Sequence, residues 1–184
     1  MDEPEGLEQI VISDVKEHTG MAAIEMPIVP EVMHSAEILD GVDVARHARH
    51  QIAGSGLVVS VPSGNFGNLT AGLIAKRIGL PIARFVASTN VNDVVPEYLW
   101  TGQYTPRASV QTIANAMDVG HPSNFERMLW LYRNDLDAMR RDVRGCRHSD
   151  DDVRATIRRV YDERGYLLDP HSAIAYKGLT DDLR

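Results

Sequence analysis

LVVSVPSGNFGNLTAGLIAKRIGLP, residues 57–81, holds the signals from which the rest of the chain can be placed. Its first five residues, 57–61, are apolar and mostly β-branched, which predicts a buried strand. The segment 69–78 predicts a helix that has Asn68 as its N-cap and stops at Gly79. The stretch is therefore expected to form a strand, a loop and a helix in immediate succession.

The loop between this strand and helix, residues 62–68, is rich in glycine and in short polar side chains. Such a loop can turn several backbone N–H groups toward one point, and a helix N-terminus adds unsatisfied donors, so the product is an anion site, usually for phosphate. Gly64 and Gly67 are expected to supply unusual backbone angles and room for the ligand. The predicted phosphate-binding residues are Ser63, Gly64, Asn65, Phe66, Gly67 and Asn68.

The alternative interpretation of the loop is a tight strand-to-helix turn with no ligand. The loop lacks the Lys-Ser/Thr ending of the P-loop and the three-glycine spacing of dinucleotide sites, so neither common nucleotide-binding motif supports the prediction of a phosphate site.

A second apolar run, residues 82–88, predicts another strand, and the two strands with the helix between them form a right-handed parallel βαβ unit. Ligands of such sheets bind at the carboxyl ends of the strands. The polar loop 89–93 leaves from that edge, which makes Asn92 and Asp93 neighbours of the predicted site, with an Asx-type turn as the alternative. The predicted fold class is α/β, a three-layer Rossmann-like piece with a helical C-terminal part.

The composition limits the classes of partner. A chain of 184 residues can bury one good core, and its net charge of −7 gives no reason to expect nucleic acid or an anionic membrane as partner. No apolar stretch of membrane-spanning length and no signal peptide are found. The single cysteine, Cys146, is consistent with a reducing cytoplasm and is interpreted as an incidental thiol rather than a nucleophile.

The N-terminal third is weakly patterned. It predicts a short helix over residues 7–18, a strand over 23–29 and a helix over 42–52. His47 and His50, with His34 upstream, have a spacing that can hold a metal, but no third ligand is fixed, so a solvated Arg/His face is preferred and no metal site is assigned.

The C-terminal part predicts several helices. A short helix is expected over residues 110–117, and residues 123–126 and 149–152 fit capping boxes that open two more. The second of these stops at Gly165, and Asp169-Pro170 begins a last helix. The side chains expected to face inward on the helix after residue 149 are Val153, Ile157, Val160 and Tyr161.

Seven blocks of sequence carry a family resemblance. They are VVSVPSGNFGNLTAG at residues 58–72, AK at 75–76, GLP at 79–81, ASTNVND at 87–93, NAMDV at 115–119, PSNFER at 122–127 and DPHSA at 169–173. On these blocks the chain resembles the threonine synthase family of fold type II pyridoxal-phosphate enzymes, over about two thirds of its length.

The resemblance implies pyridoxal phosphate as cofactor, with its phosphate gripped by the loop that matches residues 64–68. It implies a lyase of threonine biosynthesis, located in the cytoplasm, that converts O-phosphohomoserine and water to threonine and phosphate. In that family the cofactor ring is the electron sink, and a lysine binds the cofactor covalently and moves protons. His171 is then either a polar contact near the cofactor or a hydrogen-bonded core histidine.

The chain departs from the family at the lysine. The family's lysine lies in a Lys-Asp-Phe setting, and none of Lys16, Lys76 and Lys177 matches it, so no catalytic residue is assigned and activity is left undecided. The family's first half and its last segment have no match either. Residues 1–53 are expected to be a segment of unclear origin, and 54–184 an incomplete threonine-synthase-like domain.

Two expectations about partners follow. An incomplete sheet would expose edges and faces, which predicts a homodimer or a complementing chain that supplies the lysine. The ligand is expected to be a small phosphorylated molecule. The alternative function is a non-catalytic α/β module that binds a phosphorylated ligand or a protein.

Overall fold

The computed structural model describes residues 9–13 and 23–25 as strands and residues 57–184 in full. The predicted helix over residues 42–52 lies outside the described residues, as do its histidines and the upstream His34. Within the described part no group of His, Cys, Asp and Glu is arranged to hold a metal ion. No helix in that part is long and apolar enough to cross a bilayer.

The centre of the fold is a five-stranded sheet in the order β2-β1-β3-β4-β5. The strands are β1 (Gln9–Ser13), β2 (Ala23–Glu25), β3 (Leu57–Pro62), β4 (Ile82–Thr89) and β5 (Val143–Arg147). Strands β1, β3, β4 and β5 are parallel to one another, and β2 is an antiparallel edge strand on β1. The predicted parallel βαβ unit is confirmed, and with it the α/β fold class.

Six α-helices follow in the described part of the chain. They are α1 (Gly67–Arg77), α2 (Val94–Thr101), α3 (Phe125–Leu131), α4 (Leu136–Asp142), α5 (Asp150–Arg164) and α6 (Pro170–Asp182), with one 3-10 turn at Asn115–Met117. The signals that open α5 and α6 are confirmed. Ser149 and Asp152 form a complete capping box, and the Asp169 side chain accepts hydrogen bonds from the first turn of α6.

Helices cover both faces of the sheet, because alternate residues of a strand point to opposite sides. Leu57, Val59 and Val61 of β3 pack with the buried faces of α1, α2, α3 and α4. Val58 points the other way and contacts Leu179 of α6. Helix α6 covers this second face of the sheet and α5 packs against α6, so the molecule has three main layers, which are helices, sheet and helices.

Helix α6 approaches the sheet unusually closely. A Cβ atom built on Gly178 would lie 2.0 Å from Ser88 Oγ and 2.9 Å from Cys146 Sγ. The Ser60 hydroxyl donates to the carbonyl oxygen of Ala175 at 2.8 Å and lies 2.9 Å from the Ser88 hydroxyl. The absence of a side chain at residue 178 is therefore what allows helix and sheet to share these buried polar contacts.

Helix α6 runs antiparallel to the strands. Its last residue, Asp182, pairs with Arg84 near the start of β4, with a hydrogen bond of 2.9 Å from the arginine Nε. The N-terminus of α6 is therefore at the carboxyl edge of the sheet, the edge at which the loops after β3 and β4 begin.

Three predictions about local structure were wrong. Residues 9–13, placed in a helix by sequence, form β1, because pairing with β3 decides their conformation. Of residues 110–117 only Asn115–Met117 are helical, as a single 3-10 turn. Tyr161, expected to face inward, is 55% exposed, whereas Val153 and Val160 of the same helix are buried.

The segment before residue 54 contributes two strands to the same sheet as β3. The predicted strand over residues 23–29 is observed as Ala23–Glu25. The proposed division of the chain at residue 53 stays a prediction.

Candidate functional site at the carboxyl edge of the sheet

The loop after β3 is anchored to the end of β4. The backbone N–H of Ser63 donates to the carbonyl oxygen of Ser88 at 2.8 Å, and its hydroxyl donates to the carbonyl oxygen of Val61 at 2.9 Å. Ser63 is buried. Because a hydroxyl has one hydrogen, Ser63 in this conformation can accept from a ligand but cannot also donate to one.

Helix α1 starts earlier than the sequence predicted. Its first residue is Gly67, and its N-cap is Phe66, in the left-handed conformation with φ of 62° and without a side-chain cap. Asn68 was predicted as the cap, and that prediction was wrong. The buried side chain of Phe66 explains the difference, since it packs in the core with the strands and fixes where the chain turns.

The backbone donors of the loop are free. Among the described residues, no acceptor is bound by the N–H groups of residues 64–69, and the first helical bond is from Thr70 N–H to the Phe66 carbonyl at 3.0 Å. Asn65, Gly67 and Asn68 are exposed, so solvent and ligands can reach this end of α1. A run of free N–H groups at a helix N-terminus fits an anionic group such as a phosphate.

The two loop glycines do not have the unusual backbone angles predicted for them. Neither is among the glycines with positive φ in the described part of the chain. A Cβ on Gly64 would lie 2.7 Å from the Cα of Met117 and 3.0 Å from the carbonyl oxygen of Ala116, so Gly64 admits the backbone of the 3-10 turn rather than a ligand. A Cβ on Gly67 would meet only Asn124, at an ordinary 3.5 Å.

Asn65 ties the loop to the segment before α3. Its side-chain oxygen accepts the Ser123 backbone N–H at 2.7 Å and lies 3.1 Å from the Ser123 hydroxyl. The capping box predicted over residues 123–126 is wrong for this reason. The Ser123 hydroxyl is directed to Asn65, and Asn124 is the N-cap of α3 without a side-chain cap bond.

The loop after β4 has its polar groups bound within the fold. Asn90 Oδ1 accepts the Asn92 N–H at 2.9 Å, which is the Asx-type turn offered as the alternative interpretation. The Asn92 amide donates to the Val110 carbonyl at 2.9 Å, and Asp118 accepts from Asn90 at 2.8 Å. This network holds the segment 110–118 against the carboxyl edge of the sheet.

Asp93 is a buried carboxylate neutralised by two arginines. Its side chain is 4% exposed and pairs with Arg107 and, at 3.1 Å, with Arg147 at the end of β5. Arg107 also pairs with Glu97. Asn92 and Asp93 therefore lie at the predicted edge, but their side chains bind other parts of the chain.

His171 lies in the first turn of α6, at the same edge of the sheet. Its Nδ1 is 3.1 Å from the Asp169 carboxylate, and its Nε2 is buried without a partner among the described residues. Burial raises the pKa of Asp169, but hydrogen bonds from Ser172 and His171 outweigh it, so the net shift is downward. The histidine thus has one bonded nitrogen and one free nitrogen, and both sequence interpretations of it stay open.

The described lysines lie away from the loop. Lys76, in the last turn of α1, donates to the Ala83 carbonyl and pairs with Asp142 at 2.9 Å. Lys177 pairs with Asp181 along α6. Lys16 lies outside the described residues. The part of the chain that the structure describes offers no amine at the free N–H groups.

Two further titratable groups are held in their neutral forms. Burial raises the pKa of Cys146 to about 11, which disfavours the thiolate that a nucleophile requires. Burial also lowers the pKa of His148, whose Nε2 has no partner among the described residues.

Sequence reasoning missed two contacts that shape the loop, those of Met117 with Gly64 and of Ser123 with Asn65. Both residues belong to sequence blocks, NAMDV and PSNFER, that had been noted for their resemblance to a family. The signal was present, but no spacing rule connects those blocks to the loop.

Comparison with known proteins gives a consistent result. The family model described as pyridoxal-phosphate dependent enzyme matches residues 10–184. The threonine synthase of Haemophilus influenzae is 53% identical over 129 residues, 70% of this chain and 30% of that protein. The threonine synthase of Serratia marcescens is 48% identical over 134 residues, 73% of this chain and 31% of that protein.

A solved structure agrees with these sequence matches. The crystal structure of threonine synthase from Brucella melitensis with pyridoxal phosphate bound has a TM-score of 0.69 and 35% identity, covering 76% of this chain and 36% of that one. The chain therefore spans about a third of the length of the relatives it matches.

Proposed function

Because this chain belongs to the family of pyridoxal-phosphate dependent enzymes, we propose that its loop of residues 63–68 holds the phosphate of that cofactor. Pyridoxal phosphate is the cofactor of the family. The observation that carries the proposal is the run of N–H groups, from residue 64 to residue 69, without acceptors among the described residues. The positive end of the α1 dipole lies at the same place, and the net charge of the chain offers no other attraction for an anion.

The roles of the loop residues differ. The backbone N–H groups of Gly64, Asn65, Phe66, Gly67 and Asn68 are the proposed donors to the phosphate oxygens. Ser63 assists by joining the loop to β4 through its backbone, since its hydroxyl hydrogen is bound to Val61. When bound, the cofactor supplies an electron sink in its ring, and the chain's part is to hold and orient it.

We further propose that the full reaction is that of threonine synthase, the conversion of O-phosphohomoserine and water to threonine and phosphate. The identity of about half of the aligned residues to proteins of that name supports it. A lysine at the site is required, and none is found there in the described part of the chain. We therefore propose that a complementing chain of different sequence supplies the missing lysine, and that the protein acts in the cytoplasm.

The non-catalytic module is the second candidate and is not favoured. The sequence blocks shared with threonine synthases extend beyond the loop to residues 115–119 and 122–127, which shape the loop through Met117 and Ser123. A module that had kept only an anion site would have no need of a family match that extends along residues 10–184.

The test is a titration of the purified chain with three ligands, which are pyridoxal phosphate, inorganic phosphate, and pyridoxal without its phosphate. We expect pyridoxal phosphate to raise the melting temperature, inorganic phosphate to compete with it, and pyridoxal to have no effect. No response to either phosphate-bearing ligand would exclude the phosphate site in this chain.

A matched pair of variants tests the backbone donors themselves. Asn68→Pro removes one N–H in the first turn of α1, where that N–H has no acceptor within the helix, and Asn68→Ala removes the side chain but keeps the N–H. Loss of one hydrogen bond to a charged group predicts roughly tenfold weaker binding of phosphate by the proline variant than by the alanine variant. Equal affinities would place the anion elsewhere.

Mass spectrometry after borohydride reduction tests the lysine. Reduction of the chain alone with pyridoxal phosphate is expected to add no cofactor mass to Lys76 or Lys177, whose ammonium groups are paired with Asp142 and Asp181. A specific adduct on either would show that it had taken the catalytic position.

A further inference from the structure

We infer that Asn65 is a positioning residue for the anion site, and that its bond to Ser123 holds loop 63–68 in the shape that leaves the N–H groups free. The inference rests on the proposed function, because it assigns to one side chain the control of that site's affinity. Asn65 thereby acts through its carboxamide oxygen as well as through its own N–H.

The orientation of the Asn65 amide is fixed by its partner. A backbone N–H can only donate, so the atom 2.7 Å from Ser123 N must be the carboxamide oxygen. The Ser123 hydroxyl is a second donor to the same oxygen, at 3.1 Å. The two residues are 58 positions apart in the chain, so this bond is a tertiary tie between the loop and the start of α3.

Asn65 is the exposed link between two clamped neighbours. Gly64 is held against the backbone of Met117, and the side chain of Phe66 is 3% exposed in the core. Phe66 is also left-handed, a conformation that costs a non-glycine residue about 1 kcal/mol. The Asn65 side chain therefore holds a residue directly next to that strained position, on the strand side of the loop.

The peptide groups on either side of Asn65 determine what the loop presents to a ligand. If a peptide plane turns over, a carbonyl oxygen replaces an N–H, and an anion is repelled where it had been attracted. The tie to Ser123 opposes that rotation. Both partners are exposed, so their hydrogen bonds contribute little to overall stability, and their main effect is on the loop.

Three variants test the inference. Asn65→Ala removes the tie, and Asn65→Asp keeps an oxygen that accepts from Ser123. Thr101→Ala is the matched control, since the hydroxyl of Thr101, the last residue of α2, makes exposed hydrogen bonds to the Glu97 carbonyl and from the Gln103 N–H. Each is measured for melting temperature, for affinity toward inorganic phosphate, and for the amide chemical shifts of residues 64–69 without ligand.

We expect Asn65→Ala to melt within a few degrees of the wild type and of Thr101→Ala, yet to bind phosphate at least tenfold more weakly. The amide chemical shifts of residues 64–69 in ligand-free Asn65→Ala should differ from those of the wild type. Asn65→Asp should keep the wild-type pattern, because its carboxylate can still accept the hydrogen bonds from Ser123. Thr101→Ala should change neither the affinity nor those shifts.

Failure of the proposed function and failure of the inference about Asn65 give different results. If the wild type binds no phosphate, the proposed function fails, and the assigned control of affinity fails with it. If the wild type binds and Asn65→Ala binds equally well, or keeps its loop shifts, the inference about Asn65 is overturned and the proposed function stands. If Asn65→Asp moves the loop shifts as far as Asn65→Ala, the acceptor role is overturned.

Discussion

Replacing Gly178 with alanine should separate α6 from the sheet. The added Cβ would lie 2.0 Å from Ser88 Oγ and 2.9 Å from Cys146 Sγ, whereas ordinary contact begins near 3.4 Å. The helix must therefore move by about an ångström, or Ser88 must turn away from Ser60, with which it shares a buried contact of 2.9 Å. Either response disturbs packing on β3 and β4 together.

The expected loss combines three contributions. Overpacking of a dense core costs about 1 to 3 kcal/mol, and loss of the Ser60–Ser88 hydrogen bond costs about 1 kcal/mol. The higher helix propensity of alanine offsets somewhat less than 1 kcal/mol. The net prediction is a free energy of unfolding lowered by about 2 kcal/mol, which for a chain of this size lowers the melting temperature by about 4 to 8 °C.

A double-mutant cycle, in which each variant is unfolded in urea, tests whether the clash with Ser88 causes the loss of stability. Ser88→Ala alone should cost about 1 kcal/mol, because Ser60 still donates to the Ala175 carbonyl. In the double variant the shortest clash is gone, so the two changes should be less than additive by about 1 kcal/mol. An unfolding free energy of Gly178→Ala within about 0.5 kcal/mol of wild type, or strict additivity, would refute the steric argument.

Three other predictions concern titration, capping and reactivity. Burial lowers the pKa of His148 below its ordinary 6.5, so the unfolded chain binds the extra proton and stability is lost as pH falls below about 6.5. His148→Phe should flatten that slope between about pH 7.5 and pH 5.5, and an unchanged slope in denaturation curves would contradict the assignment. Ser149→Ala, which breaks the capping box with Asp152, should lower the free energy of unfolding by about 1 kcal/mol, while Ser149→Thr should retain most of it. A Ser149→Ala variant as stable as wild type would argue against the cap. Cys146, with a pKa of about 11, should react with a thiol reagent at about pH 8 roughly 100-fold more slowly in the folded than in the unfolded chain, and equal rates would show that its thiol is not shielded.

The sequence predicted elements whose signals are local. The β-branched run before the loop, the box at Ser149 and the Asp169-Pro170 start each gave the right element, because strand burial and helix capping depend on a few adjacent residues. The parallel βαβ unit followed from the order of these elements and the limits on their connection.

The predictions that failed depend on distant partners. Residues 9–13 contain the β-branched run Ile10-Val11-Ile12, a strand signal that the helix prediction overlooked, and they form a strand paired with β3. Asn68 is a good cap in isolation, but the burial of Phe66 makes residue 66 the N-cap, so α1 starts two residues earlier than predicted. Ser123 matched a capping box, yet its hydroxyl is used by Asn65 from far along the chain. For Asn68 and Ser123 a tertiary contact outweighs a local preference.

The same dependence applies to the candidate site. Sequence placed the loop correctly, but the purpose of Gly64 could not be predicted, because its close neighbour is the backbone of Met117 rather than a ligand. The Asx-type turn after β4 was one of two stated alternatives, and only the positions of Asn90, Val110 and Asp118 decide for it.

The tie between Asn65 and Ser123, 58 residues apart, also has a meaning for folding. We expect contacts so distant in sequence to form late, after the strands and turns that bring them together, because closing the intervening chain costs conformational entropy. Grafting the six residues SGNFGN into another protein would not reproduce the geometry of the loop, because that geometry also depends on the 3-10 turn at Asn115–Met117 and on the start of α3. A truncated chain that ends before residue 123 would contain the motif without the hydrogen bond from Ser123 to Asn65. Phosphate binding by the full chain would therefore indicate that the whole carboxyl edge of the sheet has folded, and not the loop alone.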